Sequence, residues 1–365
     1  MTWLTRILPG HAPDGAPILS VLGKRTYRIA HGKPAWPDGE QAPFLAADEP
    51  WGQGNPFAAT VKAESDLVAY KPMTDVVVAG KAHAPGGRKV RQIDVGIQVG
   101  KARKVARIHG DRKVYVTATG VAFSVAEPFL EMPLDYSRAY GGKDERSDPD
   151  IAYAFPKNPL GKGFVIRSHP KALQDLALPN VEDAQRPLSP ETLALGRFEL
   201  WSQAPDPVAF GCVGKASHPR STKAGLTPED WIQAEAERQR SLRQAPEVGS
   251  QASGHPSPIA PMLNLGFFNG ASPGLCFPYL RGDEPIRLAH MDAAFPSFDF
   301  TLPRARPKAW LDVGEGREEI SMDLQTVVLY KDENRMTLVW QGCAYFGGLK
   351  AMKDFNNLDF GVQEG

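Results

Sequence analysis

The chain is poor in cysteine. Cys212, Cys276 and Cys343 are the whole complement in 365 residues, odd in number and widely spaced. That excludes a dense disulfide framework and points to reduced thiols in the cytoplasm. Charge of either sign is not in surplus. The chain carries 42 Lys+Arg against 42 Asp+Glu, which argues against a nucleic-acid partner. Long apolar runs are missing too: no window approaches the ~18 residues of a membrane span. The opening MTWLTRILPGHAPDG is broken by Pro9 and does not read as a signal peptide. No membrane partner is expected, and no internal repeat is visible.

Motifs of chemistry are equally scarce. Neither Cys-x-x-Cys nor His-x-x-x-His spacing occurs, so His83 with His109-Gly110-Asp111 reads as turn chemistry, not a metal site. The Gly-rich pieces WGQGNPF and LGKGF lack the forms that cradle phosphate. Gly270 to Gly274, GASPG, matches the G-x-S-x-G outline of a hydrolase. The residue after Ser272 is Pro273, however, which has no backbone N–H to offer an oxyanion. Cys212 with His218 has no local mark of a thiol–imidazole pair. The reading assigns no catalytic residue, no metal ligand and no cofactor, and expects no enzyme.

What is abundant is turn chemistry, with 35 glycines and 33 prolines, well above ordinary proline usage. Many turns and few long helices follow. The clearest period lies at Ile93, Val95, Ile97 and Val99, which alternate with Asp94, Gly96 and Gln98 as in a half-buried strand. With Val76 to Ala84, Lys104 to Ile108 and Arg112 to Thr117 as neighbours, a four-stranded antiparallel meander is expected. Residues 17 to 30 read as a hairpin about Gly23-Lys24, and the proline-rich stretch behind them drapes over the first sheet.

Further on, 143 to 190 reads as loop. Thr227 and Pro228 start one helix, 227 to 244, and 245 to 262 is a flexible Pro/Ser/Gly loop. Phe298, Phe300 and Leu302 alternate, and Met322 to Tyr330 with Arg335 to Tyr345 form a closing hairpin. A short helix follows Gly347-Gly348. The expected fold is mainly β (α+β), antiparallel sheets or a β-sandwich with a loop-rich, helical middle insertion. The units are 1 to 142, 143 to 262 and 263 to 365, the first and last packed together.

The central stretch is lopsided in charge. Between Lys81 and Lys113 stand ten Lys or Arg against Asp94 and Asp111. One reading is a solvated strand face with edge lysines that discourage aggregation. The other is a docking face for an acidic partner, centred on Lys101, Arg103, Lys104 and Arg107.

Several phrases recur in a familiar order: KPMTDVVVAGKAHAPGG (71 to 87), VGKARKVARIHGDR (99 to 112), PFLEMPLDYSRAYGG (128 to 142), NPLGKGF (158 to 164), LPNVE (178 to 182), FFNGASP (267 to 273), YLRGDEPIRL (279 to 288), FTLPRARP (300 to 307) and LVWQG (338 to 342). Together, over roughly 65 to 345, they resemble the bacterial family called domain of unknown function 2169. Gln341 stands where that pattern leads one to expect arginine. The resemblance implies an accessory role in the type VI secretion system: a non-catalytic adaptor or chaperone that holds a toxic effector protein in the cytoplasm and helps load it onto the spike protein of the tail. Within the matching phrases, Arg138, Tyr140, Arg281, Asp283, Glu284 and Trp340 are residue types that anchor interfaces. The other reading, and the favoured one for each, is that they are internal groups, with Arg281 to Glu284 a turn pairing and Trp340 in the closing hairpin's core. The alternatives to an adaptor are a hydrolase using Cys212 or Ser272, and a structural protein that caps a toxin.

Overall fold

Two large β-sheets organise the computed structural model, which describes residues 3–52, 59–147, 153–166, 169–195, 203–224, 264–312, 317–345 and 358–365. The seven-stranded sheet runs Leu4–His11, Pro17–Arg28, Arg335–Tyr345, Asp323–Tyr330, Thr74–Ala79 and Cys276–Phe277, with Trp36–Pro37 beside Pro17–Arg28. The six-stranded sheet runs Val181–Asp183, Ala102–His109, Gln92–Val99, Pro285–Ala289, Ser297–Thr301 and Lys33–Pro34. One apolar core draws on both, from Val95, Ile97, Leu288 and Phe298 on one side to Val76, Val78, Leu338 and Trp340 on the other. The fold is mainly β, as the turn-rich composition suggested, and its described α-helices are short, Pro170–Leu173 and Pro190–Leu195.

The alternating strand is where its period placed it. Gln92–Val99 buries Val95, Ile97 and Val99 and half-buries Ile93, and it pairs antiparallel with Ala102–His109 across a tight turn. Gly100 has φ +56 in that turn, a conformation glycine adopts at little cost. The closing hairpin is also present, with Asp323–Tyr330 against Arg335–Tyr345 and Asn334 left-handed at the turn.

The four-stranded meander is not. Thr74–Ala79 lies in the other sheet, parallel to Asp323–Tyr330. All six of its residues are buried, so its valine run belongs to a strand covered on both faces. Lys81–His83 pairs with Glu131–Pro133, and Val114–Thr117 forms a separate ribbon with Gly120–Phe123.

The hairpin expected at 17 to 30 is corrected as well. Pro17–Arg28 is one unbroken strand between Leu4–His11 and Arg335–Tyr345. Gly23 sits in mid-strand because the Val362 methyl groups cross over it, 3.2 Å from where a Cβ would stand. Lys24 is interior, its ammonium 2.6 Å from Asp66 and 2.8 Å from the Pro43 carbonyl.

The stretch 143 to 190 is more ordered than a loop. Short strands at Lys143–Asp144, Tyr153–Ala154 and Lys162–Gly163 surround a second apolar core that includes Tyr140, Phe155, Phe164, Leu173 and Leu193. The helix expected at 227 to 244, the Pro/Ser loop 245 to 262 and the short helix after Gly348 lie outside the described residues.

Candidate functional site

A cleft of about 1330 Å³ opens beside the edge of the six-stranded sheet. Four pieces of chain supply most of its lining: Arg103 to Val105, the turn Asp183 to Arg186, the segment 206 to 223, and the segment 266 to 276. Its exposed lining is mostly apolar, with Val105, Val208, Val213 and Pro273 among the contributors.

Within the cleft wall lies a hydrogen-bonded node. Ser272, fully buried, donates to the Ala209 carbonyl at 2.7 Å. Its oxygen is also 2.8 Å from the Tyr136 hydroxyl and 2.5 Å from the Lys104 ammonium. A hydroxyl has one proton and two lone pairs, so Ser272 is saturated, with its proton committed to a carbonyl. Tyr136 is held by the 3-10 turn Tyr136–Arg138, whose capping Asp135 accepts from the Ser137 amide at 2.8 Å and from Thr60 at 3.0 Å. Burial pushes the Tyr136 phenol well above its usual range. Lys104 spends a second proton on the Pro273 carbonyl at 2.8 Å. Burial lowers its pKa to about 7, and no carboxylate among the described residues pairs with it.

Behind the node is a layer of buried charge. Lys71 and Asp75 pair at 2.9 Å, and Asp75 also accepts from Asn269, the Gly270 amide and the Cys276 thiol. Burial alone would raise the Asp75 pKa, but Lys71 and these donors outweigh it and the net shift is downward. Cys276 is pushed up to about 12, by burial first and the Asp75 charge second. Burial also raises Cys212 well above its ordinary value. Thiols shifted this way stay protonated and are poor nucleophiles. Arg220 forks onto Glu64 at 2.5 and 2.9 Å and also donates to the Val213 and Phe267 carbonyls.

The residues expected to bind a partner are scattered. Arg103 is exposed and reaches the cleft with Lys104. Arg107 is occupied by Asp94, at 2.8 and 3.0 Å, and Lys101 sits in the exposed hairpin turn. Arg138 meets Asn180 at 3.2 Å and Asp111 at 3.6 Å. Tyr140 is buried edge-on to Phe155. Glu284 clamps its own turn by accepting from the Arg281 and Gly282 amides, and Asp283 pairs with Arg306.

Trp340 is a core residue, 3% exposed, and covers Gly282, where a Cβ would stand 3.0 Å from the indole. Gln341, at the place where arginine was expected, is internal too and bonds the Lys71 backbone and the Tyr279 hydroxyl. Tyr140 and Trp340 each pack within an apolar core of the folded chain. His83 and His109 face different carboxylates, Glu131 and Glu182, each at 3.7 Å. No cluster of three or more metal-ligating side chains occurs among the described residues.

Residues that sequence reasoning passed over include Tyr136, Arg220 and Lys223. Nothing local marks them, since the node joins positions more than a hundred residues apart. GASPG drew notice as a failed nucleophile motif, and Lys104 as part of the basic run, but nothing in the sequence joined the two.

No curated protein and no solved structure matches the chain. A family model described as "Uncharacterized protein conserved in bacteria (DUF2169)" matches residues 14–341. That span takes in the six-stranded sheet, the seven-stranded sheet apart from Leu4–His11 and the end of Arg335–Tyr345, the node and the cleft, and the chain belongs to this bacterial family.

Proposed function

We propose that the protein is a non-catalytic adaptor or chaperone of the type VI secretion system, one that binds an effector protein in the cytoplasm and helps load it onto the spike protein. The observation that carries this reading is the cleft: large, open, apolar along its sides and basic at Arg103, Lys104 and Lys223. Its reactive-looking groups are tied into the fold, Ser272 by three hydrogen bonds and Cys276 by burial against Asp75. A surface of this kind grips another chain by shape and charge. Co-expression with the effector and spike proteins encoded beside it should give a complex stable to gel filtration. Failure to retain either neighbour would count decisively against the adaptor.

A second reading, a hydrolase, is favoured by the 2.5 Å approach of Lys104 to Ser272. Against it stand the serine proton held by Ala209 and the missing amide at Pro273. Covalent labelling of Ser272 by a fluorophosphonate would favour the hydrolase. Toxin capping remains a third use of the same surface, and would appear as protection of cells by this chain alone against the neighbouring toxin.

A further inference from the structure

The cations of the cleft fall into two groups. Arg220 is matched by Glu64, Arg186 by Asp183 at 3.3 Å, and Lys157 by Asp206. Arg103, Lys104 and Lys223 make no direct ion pair with a carboxylate among the described residues, although the Asp183 charge acts on Lys104 from farther off; Lys223 reaches the Gly266 carbonyl, at 3.2 Å. Lys104 offers three protons and the fold uses two. An ammonium in partly buried surroundings without a counter-ion is unfavourable, and a carboxylate brought from outside relieves it.

Size narrows the occupant. At about 1330 Å³ the cleft exceeds the roughly 300 to 1,000 Å³ of small-molecule sites. An extended polypeptide advances about 3.3 Å per residue and sends alternate side chains to opposite sides. A segment alternating acidic and apolar residues would set carboxylates on the unmatched cations and apolar groups on Val105, Val208 and Val213.

We propose that the cleft receives an extended acidic segment of the partner protein, with Arg103, Lys104 and Lys223 taking its carboxylates. This rests on the adaptor reading only for the partner's being a polypeptide.

The test titrates the full chain into a fluorescein-labelled octapeptide alternating glutamate with leucine and follows anisotropy. A lysine–leucine octapeptide and a thymidine oligonucleotide are titrated in parallel. The glutamate peptide should bind, and bind about tenfold more weakly after Arg103→Glu, after Lys223→Glu, or when salt rises from about 50 to 300 mM. Arg103 is exposed, so its variant is expected to keep the wild-type melting curve. Arg287→Glu, a reversal in the pair with Asp299, should change nothing. No binding of the glutamate peptide, affinity indifferent to Arg103 and Lys223, or tighter binding of the oligonucleotide each overturns the proposal.

Gel filtration with the neighbouring effector separates the two ideas. A complex equally stable with wild type and with Arg103→Glu/Lys223→Glu overturns the cleft's role while the adaptor stands. No effector complex, with charge-dependent peptide binding retained, sinks the adaptor and leaves the cleft's chemistry supported.

Discussion

Arg220 grips Glu64 through both terminal guanidinium nitrogens, at 2.5 and 2.9 Å, with the two side chains 4% and 10% exposed. The pair pins the cleft wall to a segment more than a hundred residues earlier in the chain. A planar fork of this kind suits a carboxylate better than a lysine can. It also holds Arg220 away from any ligand, which is why that cation takes no part in the proposed docking.

Breaking the pair from one side leaves a buried guanidinium uncompensated. Glu64→Ala should therefore destabilise the protein by about 3 to 5 kcal/mol, read as a lowered urea midpoint. A loss under about 1 kcal/mol would mean that water reaches the pair.

Lys104 makes stability depend on pH with a definite sign. Its pKa of about 7 in the folded chain lies below the unfolded value, near 10.4. Between these values the unfolded chain binds more protons, so stability rises as pH climbs through 7. From pH 6.5 to 8.5 the wild type should gain roughly 1 to 2 kcal/mol more than Lys104→Met. Equal gains in urea unfolding would show the ammonium to be well solvated. The raised Cys276 thiol works in the opposite sense, but only above about pH 8.5, where free thiols begin to ionise.

Cys276 should be nearly inert. With its pKa pushed up to about 12, alkylation by iodoacetamide at pH 8 is expected to be at least about 100-fold slower than that of free cysteine, followed peptide by peptide by mass spectrometry. Rapid, selective modification of Cys276 would revive a thiol enzyme.

Trp340→Ala is expected to cost about 3 to 5 kcal/mol by emptying the volume between the hairpin and Gly282. Where that variant remains folded, partner affinity should be unchanged. A selective loss of binding, with the unfolding curve intact, would move Trp340 to the surface.

Local pattern was legible wherever one face of a strand is wet. Ile93 to Val99 and Phe298 to Phe300 alternate, and the structure puts the buried residues on the expected side. Thr74–Ala79 and Pro17–Arg28 misled for one shared reason: both are covered on two faces, so no period of two survives. In Pro17–Arg28 the cost of burying Lys24 and Arg25 is offset by Asp66 and Glu364, partners whose proximity no window of sequence reveals. Without them, Gly23-Lys24 looks like a turn. The cleft was hidden for a related reason. The basic run at 101 to 107 was visible, but its division into Arg107, neutralised by Asp94, and Lys104, turned toward Ser272, depends on neighbours supplied from elsewhere.

Arg28 is paired with Arg335, so the long strand that ends at Arg28 waits for 307 further residues (335 − 28) to be translated before its mate exists. At ribosomal speeds of about 5 to 20 residues per second that delay is roughly 15 to 60 s. Through it, Ile18, Leu19, Val21 and Leu22 have one of their two strand partners, the short Leu4–His11, and lack the other. A protein proposed to shelter another is thus, while being made, itself in need of shelter, and nascent chains stopped before Arg335 should aggregate instead of accumulating as a folded half.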